Sequence, residues 1–208
     1  MATPSRKRIK HFEQERHVHE LTFSCAERRP LLSNDTWRSW FCEGLEAACD
    51  RNAFLLLAYV LMPNHVHLLV YPAASEARVA KLLADTKRSF SRRIKRHLTE
   101  TQSSALRRLT VHEQTGASMF HFWQAGPGYD RNLTEPKAVA AAIAYLHANP
   151  VRRGLCERAI DWPWSSARRL LSDGPLDGSP RLSRFDESLL TIEPASSTRH
   201  DIDPGCHG

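Results

Sequence analysis

Tyr59-Val60-Leu61-Met62-Pro63-Asn64-His65-Val66-His67-Leu68-Leu69-Val70-Tyr71 decides the fold. Two apolar runs flank a single break at Met62-Pro63-Asn64. The Pro-Asn pair reads as a turn between two strands. Beyond it, alternate side chains point to opposite faces, so His65 and His67 share one face while Val66 and Leu68 take the other. Two imidazoles spaced this way on a rigid strand can hold one divalent metal ion. The plainer reading is a pair of histidines facing solvent or bonded to carbonyls. The triplet alone does not choose between them.

Working outward, Ala53–Leu61 and His65–Tyr71 are apolar at nearly every position, as central strands of a sheet are. Val18, Leu21 and Phe23 suggest a first strand over residues 17–24. Asn34 or Asp35 can cap a helix running to Asp50, with Trp37, Phe41, Leu45 and Ala48 as its apolar stripe. A second helix is expected over 76–98, with Val79, Leu82, Leu83, Phe90, Ile94 and Leu98 inward. Its other positions carry Arg78, Lys81, Lys87, Arg88, Arg92, Arg93, Lys95 and Arg96, against Asp85 alone between Arg78 and Arg96. A charge run is often only a solvated face. This one is too one-sided for intrahelical pairs to absorb, and such a row can track a phosphate backbone.

The whole chain points the same way. Its 208 residues suffice for one domain with a proper core, and its formal net charge of +6 suits an acidic partner such as nucleic acid. Five cysteines, none in a Cys-x-x-Cys pair, fit a reduced, cytoplasmic setting without disulfides or a zinc cluster. No stretch is long and apolar enough to span a membrane, and the charged N-terminus lacks the apolar core of a secretion signal. Residues 1–14 read as a flexible basic arm, 15–172 as the domain and 173–208 as a disordered tail.

Residues 99–118 read as a loop with a helical piece at 105–109, Phe120–Gln124 as a strand, and Gly126-Pro127-Gly128 as a turn. A helix is then expected from a Thr134 cap through Ala148, with Pro136 in its first turn and Asn149-Pro150 ending it. Val139, Ile143 and Leu146 form one stripe. Ala138, Ala141, Ala142 and Tyr145 form a small-residue face from which one phenol projects. Asn149 lies four residues on, roughly on the same face. Tyr145 alone could be a half-buried aromatic, and Asn149 a helix C-terminal residue. Together with the histidines they make another inventory. Tyrosine can act as a covalent nucleophile, and a metal can polarise a phosphoryl oxygen beside it.

The Pro63–His67 segment resembles the HUH motif (histidine, bulky hydrophobe, histidine) of single-tyrosine transposases. Trp123-Gln124, Tyr129-Asp130, the run Ala144–Gly154 and Asp161-Trp162-Pro163-Trp164-Ser165-Ser166 are similar to the REP-associated tyrosine transposase branch. The resemblance covers about residues 15–170. It implies an α+β fold, a ferredoxin-like sandwich with helices packed on an antiparallel sheet. It implies that His65, His67 and Asn149 bind Mg²⁺ or Mn²⁺. It also implies that Tyr145 attacks single-stranded DNA at hairpins or palindromic repeats, giving a 5′-phosphotyrosine and a free 3′-OH. A monomer or a homodimer, cytoplasmic and nucleoid-associated when on DNA, is the implied form. Lys81, Lys87, Arg88, Arg92, Arg93, Lys95 and Arg96 are the expected DNA contacts.

Two departures stand out. Tyr129-Asp130-Arg131 replaces a frequent Tyr-Asp-His, which puts an accessory histidine there in doubt. His147 replaces a frequent aromatic and is expected at the surface. Tyr129 competes with Tyr145 as nucleophile, but it follows a glycine-rich turn and so is expected to be less well held. The alternative to an enzyme is a non-catalytic DNA-hairpin-binding protein derived from a transposase.

Overall fold

A computed structural model describes residues 17–112, 118–126, 128–171, 179–184 and 186. Four strands form one antiparallel sheet: β1 (Val18–Ser24), β2 (Phe54–Leu61), β3 (His65–Pro72) and β6 (Tyr129–Leu133), in the order β2-β3-β1-β6. With α1 (Asp35–Arg51) between β1 and β2, and α2 (Val79–Glu100) after β3, this is the expected ferredoxin-like sandwich. The insert between α2 and β6 holds α3 (Ser104–Arg108) and a small hairpin of β4 (Thr110–His112) and β5 (Ser118–Phe120). After β6 come α4 (Pro136–Arg152) and α5 (Ala167–Leu171). No described helix is long and apolar enough to cross a membrane.

Strand pleating divides the core in two. Leu21, Phe23, Val66, Leu68 and Val70 face one way and pack with Phe41 and Leu45 of α1 and Leu82, Phe90 and Ile94 of α2. Val18, Val60, Leu69, Tyr71 and Leu133 face the other way and pack with Val139, Ala142 and Leu146 of α4. Because residues directly opposite in antiparallel strands share a face, the register builds a row Val60–His67–Thr22–Tyr129 on the α4 side. Arg131, Glu20 and Leu69 make the next row.

The caps follow local chemistry where it was legible. Asn34 Oδ1 accepts from Trp37 N at 3.0 Å and starts α1 as expected. Ser165 Oγ accepts from Ala167 N at 3.0 Å and starts α5.

Other expectations need correction. The strand expected at Phe120–Gln124 is not one: β5 ends at Phe120, and only an isolated bridge joins Trp123 to Cys25. There the chain runs beside the end of β1, where Ala26 N donates to Phe122 O at 2.8 Å and Gln124 N to Ser24 O at 2.8 Å. Glu135, not Thr134, is the N-cap of α4, because β6 runs on to Leu133. Helix α4 also passes through Pro150 to Arg152. Proline supplies no N–H for the Leu146 carbonyl; the Asn149 side chain covers the same carbonyl at 3.5 Å and donates to Tyr145 O at 3.1 Å.

The 1–14 arm and most of the 173–208 tail lie outside the described residues. Within that tail span, residues 179–184 are docked rather than loose. Ser183 N donates to Leu56 O at 2.8 Å, Leu182 packs on the core, and Arg181 pairs with Asp50 at 2.7 Å.

Candidate active site

His65 and His67 project from β3 on the α4 side of the sheet, with ring centroids 4.7 Å apart and planes at 83°. Each ring has its Nδ1 engaged. His65 Nδ1 donates to Asn64 Oδ1 at 2.6 Å, while Asn64 Nδ2 donates to Arg28 O at 3.3 Å. His67 Nδ1 lies 2.7 Å from Thr22 Oγ1. These contacts leave both Nε2 atoms as the imidazoles' remaining polar sites. Burial, then the charges of Arg153 and Arg28, push His65 down to about 4. Burial, then His65 and Arg153, push His67 down to about 4. Both rings are therefore neutral at pH 7, the form that ligates metals. Nδ1 partners that set tautomer and ring orientation are also what metal-ligating histidines require.

His67 opens on a cavity of about 510 Å³, a size that takes nucleotide-scale ligands. Its floor is sheet: Glu20, Thr22, His67, Tyr129 and Arg131. Its wall is α4: Ala141, Ala142 and Tyr145. The small-residue face of α4 thus lets the helix lie close while the phenol stands at the cavity edge. The Arg152 guanidinium stacks on that phenol at 4.7 Å. His65 borders a neighbouring hollow of about 300 Å³ with Arg28, Asn64 and Arg153. Asn149 is buried next to Tyr145 on α4 and lines neither space. Its amide nitrogen is held within the helix, which leaves Oδ1 as its free donor atom.

The residues fit a divalent ion as two neutral, oriented imidazoles. Among the described residues no group of three or more His, Cys, Asp or Glu could complete such a site. The third ligand that the resemblance implies, Asn149, has an amide oxygen to offer but lines neither space beside the imidazoles.

Tyr129 is held more firmly than its glycine-rich approach suggested. It is the first residue of β6 and pairs with Thr22. Gly128 makes this approach possible: at φ +85°, a Cβ there would come within 2.3 Å of Thr22 O. Tyr129 and Tyr145 are 50% and 49% exposed, so accessibility does not separate them. Arg131 does not face the cavity as a bare cation. Its guanidinium lies 2.7 Å from the buried Glu20 carboxylate. Sequence reasoning passed over Glu20, Thr22 and Arg131 as site residues. The alternation of β1 that puts Glu20 and Thr22 on one face was the available signal.

His147 is not at the surface. It is buried, pushed down to about 4 by that burial, with Nε2 2.8 Å from Ser166 Oγ. Ser166 Oγ also accepts from Tyr59 N at 2.9 Å, so this imidazole ties α4 to β2.

The basic row lies on α2, which packs on the opposite face of the sheet from the histidines. Lys81, Arg88, Arg92, Lys95 and Arg96 are exposed. Arg88 and Arg96 reach Asp85 and Glu100 at 3.9 Å. Lys87 is tucked against the Phe23 ring at 4.8 Å and donates to Gly126 O at 3.3 Å. Arg93 pairs with Glu43 and stacks on Trp40 at 4.5 Å.

The site thus consists of a ferredoxin-like sheet with a histidine pair and two tyrosines on the α4 side, and a basic helix on the other. The family model "Transposase IS200 like" matches residues 13–126, more than half of the chain, and the chain belongs to that family. A Haemophilus influenzae protein named "Putative REP-associated tyrosine transposase" is 24% identical over 129 residues, 62% of this chain and 68% of that one. The solved structure of a REP-associated tyrosine transposase bound to a REP hairpin aligns with a TM-score of 0.60 at 15% identity. It covers 88% of this chain and 96% of that one, and it shares the fold.

Proposed function

We propose that the protein is a metal-dependent strand transferase that cleaves and rejoins single-stranded hairpin or palindromic DNA through a 5′-phosphotyrosine. One observation carries the reading: His67 and Tyr145, 78 positions apart in the sequence, line the same cavity.

His65, His67 and Asn149 would hold Mg²⁺ or Mn²⁺, whose chemistry when bound is to polarise a phosphate oxygen and orient the ester. Thr22 and Asn64 keep the two imidazoles in the ligating tautomer. The Tyr145 oxygen forms a bond to phosphorus and releases its proton to solvent. The bond from phosphorus to the 3′-oxygen breaks, and that oxygen leaves as a hydroxyl after taking up a proton. The reverse attack by a 3′-OH rejoins strands and frees the phenol, so the ester conserves the energy and no nucleotide triphosphate is consumed. The hairpin carried by the structural neighbour supports this substrate class for the present chain.

The test is incubation of a labelled hairpin oligonucleotide with Mn²⁺ or Mg²⁺, followed by denaturing gels. A covalent adduct that requires metal and vanishes in Tyr145→Phe is expected. Salt-sensitive binding without any adduct would leave a non-catalytic hairpin binder.

A further inference from the structure

We infer that Arg28 and Arg153 form a clamp for a second backbone phosphate of the DNA strand, on the His65 side of the histidine pair. This inference rests on the strand-transfer reading above, and it extends the site away from Tyr145.

The hollow beside His65 is lined by Arg28, Pro30, Asn64, His65, Arg153 and Leu155, among others. It presents two guanidiniums and no carboxylate. Arg29, Arg38, Arg131, Arg158 and Arg181 each lie within 3.3 Å of a carboxylate oxygen. Among the described residues, Arg28 and Arg153 have no ion-pair partner. Both are exposed, and both line the same hollow as the His65 ring. Two uncommitted guanidiniums around one concave space supply the charge and the forked donors that a phosphate takes.

The backbone is built to put them there. Glu27 and Arg28 both occupy the left-handed region, with φ of 53° and 54°, in a segment without glycine at either position. Such strain persists where surrounding contacts over-determine it, and it clusters at functional sites. Here the segment is pinned to the β2–β3 turn. Cys25 N donates to Asn64 O at 2.9 Å, Leu32 N to Pro63 O at 2.8 Å, and Asn64 Nδ2 to Arg28 O at 3.3 Å. Asn64 is also the Nδ1 partner of His65. The loop that carries Arg28 and the ring of His65 are therefore oriented by one amide. Arg153 arrives from the other direction, as the C-cap of the helix that carries Tyr145. A strand whose scissile phosphate lies between the histidines and Tyr145 would continue into this hollow. Retention of that segment would keep the strand in register for rejoining.

The experiment uses hairpin oligonucleotides in which one phosphate at a time, on each side of the cleaved bond, is an uncharged methylphosphonate. Affinities are read by fluorescence anisotropy with Tyr145→Phe protein, and adduct rates with the unmodified protein. One neutralised phosphate beside the cleaved bond is expected to weaken binding on the order of tenfold, as loss of a charge-assisted bond does. Arg28→Gln and Arg153→Gln should each weaken binding to normal DNA similarly. Each should also shrink the penalty at that one position, and the double variant should abolish it, a non-additivity that marks direct contact. Independent multiplication of the protein and DNA effects at every position would overturn the clamp, even if the adduct forms. Non-additivity without any adduct would uphold the clamp while sinking the cleavage reading.

Discussion

Thr22 Oγ1 and His67 Nδ1 are 2.7 Å apart across the β1–β3 ladder, so the middle of the sheet itself sets the orientation of one proposed ligand. Thr22→Val keeps the β-branched shape and removes the hydroxyl. Mn²⁺ affinity, measured by calorimetry, should fall about 10–100-fold, the usual loss on removing such an outer partner. Unchanged affinity would exclude this orienting role.

Two tyrosines meet at the cavity, and the chemistry should separate them. Tyr145→Phe is expected to abolish the covalent DNA adduct, while Tyr129→Phe retains it. Mass spectrometry of the adduct peptide checks the assignment directly. An adduct mapped to Tyr129 would transfer the nucleophile to β6.

Asn149 compensates for the N–H that Pro150 lacks, and this makes a stability prediction independent of activity. Asn149→Ala should cost about 1 kcal/mol in metal-free protein, the ordinary net worth of a hydrogen bond. In a Pro150→Ala background the same change should cost less, because the main chain then serves Leu146 O. Denaturant midpoints of the four proteins give the cycle.

The α2 row divides by what each side chain already touches. Lys81, Arg92 and Lys95 are exposed, and among the described residues none has an ion-pair partner. Changing all three to Gln should flatten the dependence of log affinity on log salt by up to about 2, at roughly 0.7 per contact with single-stranded DNA. Arg93→Gln, which breaks the Glu43 pair, should leave that slope unchanged.

Lys87 gives a pH signature. Burial pushes its ammonium from 10.5 down to about 8. Between those values the unfolded chain holds a proton that the folded chain has released, so stability rises with pH across that window. Relative to Lys87→Met, the native protein should gain stability from pH 8 to 10.5. The opposing contribution of the buried thiols Cys25, Cys42 and Cys49, raised to about 12, cancels in the difference. Parallel stability curves for the two proteins would contradict this account of Lys87.

The sequence by itself determined the periodic elements and the partition of faces. The His-Val-His alternation placed His65 and His67 together, Asn34 marked the start of α1, and the apolar stripes of α1 and α2 named the sides that meet the sheet. These features are local: strand and helix periodicity need no distant partner. Tertiary structure alone decided the rest. The polar run Tyr129–Leu133 becomes a strand only because the β1 edge offers ladder partners. Helix α4 continues past Asn149 because a side chain replaces the bond that proline removes. Burial of His147 follows from the docking of Ser166 on β2. That Tyr145 shares a cavity with His67, while the basic row of α2 lies behind the sheet, is a matter of which face each helix covers. Those choices depend on free-energy differences spread over the whole core, and no short stretch of residues encodes them.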